Sequence, residues 1–180
     1  MLIRETTDAD LNDILLIERL AFKRDVEVNF TRDLLVDPSA KPLLSLLAFA
    51  EGKPVGHILF SKAHIENNPH LKASFLAPLA VIPEFQKRGI GGNLIKEGLQ
   101  LQTQSGIDLV FLLGHPTYYP KFGFISAAKA GFETTYPIPP EHFEAWMVKV
   151  LRPNIIGTAT GRVLGCDVMN RPQNWRESPP

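Results

Sequence analysis

The stretch from Pro78 to Gln100, PLAVIPEFQKRGIGGNLIKEGLQ, constrains the fold more than any other part of the chain. An apolar run ends in the cluster Gln86-Lys87-Arg88. Gly89, Gly91 and Gly92 follow within four residues, and then an amphipathic helix pattern begins. Glycine in a helix costs about 1 kcal/mol relative to alanine, so three at one helix start need a compensating use. A strand that feeds a loop opening a helix leaves several N–H groups without partners, at the positive end of the helix dipole. An anion suits that place, and phosphate above all. Glycines let bare backbone approach it. The plainer reading is a tight turn beside a solvated Lys-Arg pair. Two nucleotide-binding patterns are excluded. A dinucleotide fingerprint needs glycine where Leu94 stands, and a P-loop needs Lys where Asn93 follows Gly92.

The rest of the chain supplies a frame for this junction. Leu2-Ile3-Arg4-Glu5 reads as a short strand. Thr7 to Asp10 has capping-box spacing, and Leu11, Ile14, Leu15, Ile17 and Leu20 follow at helical spacing. A second amphipathic segment is predicted over about Phe30 to Val36. Residues 43–50 and 54–62 read as a hairpin around Glu51-Gly52-Lys53. Residues 73–82 form an apolar strand candidate interrupted by Pro78, which belongs at a bulge or an edge. The helix over 91–105 stops at Gly106. Leu109–Leu113 is a continuous apolar run, the pattern of a strand buried on both faces. A helical turn over 118–122 ends at Gly123, and strands are predicted over 131–135 and 145–151. From Asn170 the chain carries Pro172, Pro179 and Pro180 and is expected to fray. This order describes a mixed α/β domain.

Charge and cysteine content narrow the function classes. Lys plus Arg and Asp plus Glu number 19 each, so no global field draws the protein to nucleic acid or to an anionic membrane. Any anion site is local. Cys166 is the single cysteine of 180 residues, which leaves no internal disulfide and no multi-cysteine zinc site. It is expected to be buried and inert. The N-terminus lacks an apolar signal core, and no apolar run approaches the ~20 residues of a membrane helix. A cytoplasmic protein is the expectation.

With these elements in order, Gln86-x-x-Gly89-x-Gly91 resembles the acetyl-CoA signature of the GNAT superfamily of N-acetyltransferases. Tyr119-Pro120-Lys121-Phe122-Gly123-Phe124, some thirty residues on, is similar to that family's Tyr-x-x-x-Gly-Phe element. The runs Ala77–Pro83 and Leu113-Gly114-His115-Pro116, the latter followed by Tyr118-Tyr119, resemble the bacterial YhbS-like branch. The resemblance implies a mostly antiparallel central sheet, splayed at a cofactor cleft and flanked by helices. It implies a GNAT domain over residues 1–152. Residues 153–180 would be a C-terminal extension, a short hairpin packed on the domain plus a frayed tail.

The resemblance also implies the chemistry. An amine would attack the thioester of acetyl-CoA directly in a ternary complex, without a metal and without a covalent enzyme intermediate. Gln86, Lys87, Arg88, Gly89, Ile90, Gly91 and Gly92 would hold the pyrophosphate. Leu79, Ala80 and Val81 would pair with the pantetheine arm, and an amide near Ala80 or Val81 would meet the oxyanion. Tyr119 falls where the family places its general acid. A reference phenol near pKa 10 is a weaker acid than a thiol near 8.5, so full proton transfer is uphill by about 2 kcal/mol. Tyr119 is therefore expected to act first as a hydrogen-bond donor. Tyr118, one position away, is expected to face elsewhere.

No carboxylate lies between Lys72 and Pro83, where many family members carry their base. Asp25, Glu27, Asp33, His57, His64 and His115 are alternatives, none singled out. A catalytically weak acetyl-CoA-binding or sensing module on the same fold is the alternative function. The acceptor would be an amine-bearing small molecule or peptide, and the segment after Leu151 could lie at a homodimer interface.

Overall fold

Leu44–Ala50 and Lys53–Ile65 form a hairpin within the sheet in the computed structural model, which describes residues 1–176. The turn is only Glu51-Gly52, both at positive φ (54° and 76°), the conformation that matches the twist of paired strands. In chain order the strands are β1 (Leu2–Glu5), β2 (Leu44–Ala50), β3 (Lys53–Ile65), β4 (Ala73–Val81), β5 (Leu109–Leu113), β6 (Ile125–Ser126), β7 (Phe132–Glu133), β8 (Trp146–Val150) and β9 (Gly161–Leu164). The helices are α1 (Leu11–Phe22), α2 (Asp25–Val36) and α3 (Ile90–Gln104). The sheet order is β1-β2-β3-β4-β5-β8-β6. All of these neighbours are antiparallel except β4 and β5. The expected mixed α/β architecture is present.

The β4–β5 junction is where the sheet opens. Only Ala73, Ser74 and Phe75 pair with Leu109, Val110 and Phe111. Beyond them β4 continues to Val81 against β3 alone, while β5 continues to Leu113 against β8. The register of β3 on β4 shifts between Ile58 and Phe60, so that Ala77 and Pro78 stand opposite Leu59. Pro78 thus sits at a bulge, after a cis peptide bond, as its missing donor requires.

Alternation along the strands divides the core. Phe75, Phe111, Trp146 and Val148 belong to one buried cluster; Leu76, Val110, Leu112 and Met147 belong to the other. The α3 stripe of Ile90, Leu94, Ile95 and Leu99 packs with the second, and Phe30 and Leu34 of α2 pack with the first. Gly106, at φ 82°, ends α3. Among the described residues no helix is long and apolar enough to cross a membrane.

Three expectations need correction. The helix expected from Phe30 starts at Asp25. Among the described residues, those after 152 make no hairpin of their own. One strand, β9, pairs antiparallel with the end of β3 and parallel with β7. Nor does the chain fray from Asn170. Trp175 is 2% exposed, its indole N–H donates to the Met169 carbonyl at 2.9 Å, and its ring lies 5.7 Å from that of Phe75. Asp37, at the end of α2, ties the segment down by accepting from the Val168 N–H at 3.0 Å. Arg171 adds an ion pair with Asp33 at 2.7 Å. The expected frayed tail after Arg176 lies outside the described residues.

Candidate active site

The gap between β4 and β5 opens into a cavity of about 1170 Å³ that reaches from the Gly-rich loop to α2 and the C-terminal segment. Its glycine-loop end is built by backbone. Lys87 and Gly89 take left-handed conformations (φ 62° and 82°), which turns the chain sharply into α3. Among the described residues, the amides of residues 87–92 have no backbone partner; the first helical bond runs from the Asn93 N–H to the Gly89 carbonyl at 3.0 Å. A Cβ at Gly91 would lie 3.1 Å from the Tyr118 hydroxyl and 3.8 Å from Val81. The glycine therefore keeps open a space that any side chain would fill.

The expected cofactor residues divide by placement. Gly89, Ile90, Gly91, Gly92 and Lys87 line the cavity, as do Leu79 and Val81. Gln86 lines it too, but its own N–H bonds to Pro83 at 3.3 Å, and its side-chain amide donates to the Val81 carbonyl at 2.9 Å. Its visible work is to brace the loop against the end of β4. Arg88 is not among the lining residues; its guanidinium lies 4.8 Å from the centre of the Phe85 ring. Ala80 is buried in the core and is absent from the lining. The reason is strand alternation. The Ile82 N–H bonds to Val55 of β3, so the Ala80 amide faces β3 as well, and the Leu79 and Val81 amides face the opened side.

Tyr119 and Tyr118 both line the cavity, so the expectation that Tyr118 faces elsewhere is wrong. Residues 119–122 form one tight helical turn ended by Gly123 at φ 88°. The two tyrosine rings sit edge to face, 5.1 Å apart. The Tyr119 ring lies over Gly114 and meets Phe124 at 5.7 Å. The Tyr118 hydroxyl points to Gly91, and Phe122 packs on Gly92. Burial raises both phenols above their ordinary pKa, Tyr119 most, with Tyr118 adding to it. A phenol held this firmly in its neutral form donates a hydrogen bond well and releases its proton poorly.

The alternatives for a base separate cleanly. Asp25 is exposed and pairs with Arg19, and Asp33 pairs with Arg171. His64 is exposed on β3. His115 is exposed at the cavity. Glu27 is 7% exposed, lines the cavity and pairs with Arg24. His57 belongs to a chain that the sequence did not suggest. Its Nδ1 lies 2.8 Å from Glu18 Oε1, and its Nε2 lies 2.8 Å from Ser45 Oγ. This Ser-His-Glu arrangement is sealed in the core and does not line the cavity, so Ser45 has no access to an acyl donor. Burial raises the Glu18 carboxyl pKa, and Glu18 Oε2 has no partner among the described residues.

The C-terminal segment was also not foreseen as part of the site. Met169, Gln173, Asn174 and Trp175 line the cavity, as do Phe30 and Glu27 of α2, and Phe30 packs with the cluster that contains Met169 and Trp175. Cys166 lies in this segment, buried, and burial pushes its thiol up to about 11. Among the described residues no group of His, Cys, Asp and Glu is arranged to hold a metal.

Comparison with known proteins agrees with this geometry. Residues 10–124 match the model of the acetyltransferase (GNAT) family. The N-acetyltransferase YjhQ of Escherichia coli strain K12 is 44% identical over 166 residues, 90% of each chain. The N-acetyltransferase YhbS of the same strain is 32% identical over 138 residues, 76% of this chain and 81% of YhbS. The crystal structure of E. coli YhbS in complex with CoA superposes with a TM-score of 0.85 at 29% identity, covering 94% of this chain and 92% of the other. A GNAT family acetyltransferase from Brucella melitensis, in complex with acetyl-CoA, gives 0.72 at 26% identity and covers 93% and 97%. The chain belongs to the acetyltransferase (GNAT) family.

Proposed function

We propose that this protein transfers an acetyl group from acetyl-CoA to an amine by direct attack in a ternary complex. The observation that carries the reading is one continuous cavity joining Lys87 and residues 89–92, whose amides have no backbone partner among the described residues, to the two tyrosines through the opened sheet. The residues present suit the coenzyme. The Gly91 cradle would be closed by a Cβ, left-handed Lys87 and Gly89 aim successive amides outward, and Lys87, Lys96 and Lys121 border the cavity. Solved relatives of this family in complex with CoA or acetyl-CoA support the same assignment.

When bound, acetyl-CoA supplies the acyl group. The amine lone pair forms the C–N bond, the C–S pair leaves on sulfur, nitrogen loses one proton and sulfur gains one. The chain's own residues position these events. Amides 87–92 hold the diphosphate. The cavity-facing Leu79 and Val81 amides offer the ladder that β5 does not, so an extended arm can add there as a strand. One of them can donate to the developing oxyanion, a contribution typically of about 3–4 kcal/mol. Tyr119 donates a hydrogen bond to the leaving sulfur. Because burial holds its proton more firmly than the reference phenol, transfer is later and less complete than solution values imply. The segment 153–176 completes the cavity and works as one unit with residues 1–152.

The test is calorimetric titration with acetyl-CoA, followed by thiol release in the presence of an amine panel. Absence of binding refutes the reading. Binding without turnover on any amine refutes the transferase and leaves a coenzyme-binding module.

A further inference from the structure

The cavity holds a single carboxylate among its described lining residues, Glu27, and it belongs to α2 rather than to the glycine loop. Four cations line it, Arg24, Lys87, Lys96 and Lys121, against Glu27 alone. Lys87 and Lys96 belong to the loop and first turns of α3, and Lys121 lies over the Tyr118 ring with its ammonium 5.2 Å from the centroid. Arg24 is the N-cap of α2 and Glu27 lies in its first turn. There Glu27 shares a helix face with Phe30, three residues on, and Phe30 packs with the cluster that contains Met169 and Trp175.

An alkylamine arrives as a cation near neutral pH. In a cavity with this charge balance Glu27 is the one lining group that attracts it. Arg24 Nε lies 3.1 Å from Glu27 Oε1, which orients the carboxylate, and the two side chains form an ion pair. Glu27 can take one ammonium. A second cationic centre on the acceptor would meet a wall of Phe30, Met169, Gln173, Asn174 and Trp175, with no other carboxylate among the described lining residues to balance it.

We infer that the acceptor is a monoamine with an apolar or aromatic body, its nitrogen received by Glu27 and its body by the wall that α2 and the C-terminal segment build together. The inference rests on the transferase reading above and adds the substrate class and the residue that selects it. Glu27 is here an acceptor-binding residue. Polyamines and aminoglycoside-like polycations are poor acceptors for the same reason.

The experiment measures thiol release with saturating acetyl-CoA and phenethylamine, 1,4-diaminobutane or spermidine. Phenethylamine is expected to exceed spermidine at least 100-fold in kcat/KM. Glu27→Gln should raise the KM for phenethylamine at least tenfold and leave the acetyl-CoA Kd within twofold, a split that a general loss of folding does not produce. Arg24→Gln, at a half-exposed position, uncovers the carboxylate and should raise the diamine-to-monoamine ratio about tenfold. Equal use of spermidine, an unchanged amine KM in Glu27→Gln, or an unchanged ratio in Arg24→Gln overturns the inference. So does acetyl-CoA binding without acetylation of any monoamine, which leaves coenzyme binding standing. Failure of the wild type to bind acetyl-CoA overturns both.

Discussion

Gly114→Ala moves one methyl group and should disable the chemistry while sparing the coenzyme. The new Cβ would lie 2.8 Å from Tyr119 Cδ2, closer still to Cε2, and 3.1 Å from Leu112 Cδ1. Carbon atoms rest at about 3.5–4.0 Å, so the ring must retreat by about 1 Å. Leu112 is in the core and 1% exposed, so it offers little room to share the shift. The Tyr119 ring is wedged edge to face between Tyr118 and Phe124, and the easiest movement swings its hydroxyl. A misplacement of that size typically costs about 100-fold in rate, or about 2.7 kcal/mol of barrier. Amides 87–92 are not touched, so the acetyl-CoA Kd should stay within about twofold. Thiol-release kinetics and calorimetry measure the two quantities. The decisive comparison is a double-mutant cycle with Tyr119→Phe. If both substitutions act through one hydroxyl, Gly114→Ala adds almost nothing in the Tyr119→Phe background. Two additive losses, or a kcat unchanged by Gly114→Ala, would refute the placement of Tyr119 as the donor.

Gly91→Val should weaken acetyl-CoA at least tenfold by filling the space between Tyr118 and Val81, with thermal stability nearly unchanged; calorimetry against the purified variant checks it. Trp175→Ala should destabilise the protein by about 3–5 kcal/mol, a fall in melting temperature of about 6–20 °C for a chain of this size, read by differential scanning calorimetry. Cys166, its thiol pushed up to about 11, should present about one thiolate in a thousand at pH 8 and react with a disulfide reagent only after unfolding. The Glu18 carboxyl is raised by burial. Its contribution to stability is therefore full below its ordinary value and is lost as pH rises through the folded value. Denaturation midpoints of Glu18→Gln should show a flatter pH dependence than the wild type across that window, and identical slopes would reject the assignment.

Much of the frame was legible because its signals are local. The hairpin, the two-face-buried β5, the Gly106 stop and the Gly123 stop are each written in a few neighbouring residues. The opening of α2 was not. Its buried stripe includes Glu27 and Thr31 beside Val28 and Leu34, so the hydrophobic period starts late. Residues 153–176 were read as peripheral because Val163, Val168, Met169 and Trp175 follow no helix or strand period. Their burial is set by β3, β7 and Phe75, distant in the chain. The glycine loop and Tyr119 were visible as motifs, whereas Tyr118 was misplaced by helical spacing in a turn too short to have separate faces. Glu27 looked no different from Asp25 and Asp33 until the fold showed which of the three faces the cavity.

Among the described residues, the three residue pairs between β4 and β5 are the only ladder joining strands β1–β4 to strands β5, β8 and β6. β9 pairs with β3 on one edge and with β7 on the other, and β7 in turn accepts the Trp146 indole N–H of β8 at the Phe132 carbonyl, 2.9 Å away. The molecule is thus two half-sheets stitched at one end, like covers sharing a short spine. A ligand that docks along β4 becomes the missing mortar. At a hundred times its dissociation constant it should add about 2.7 kcal/mol of resistance to unfolding, and slowed amide exchange should concentrate on residues 76–81.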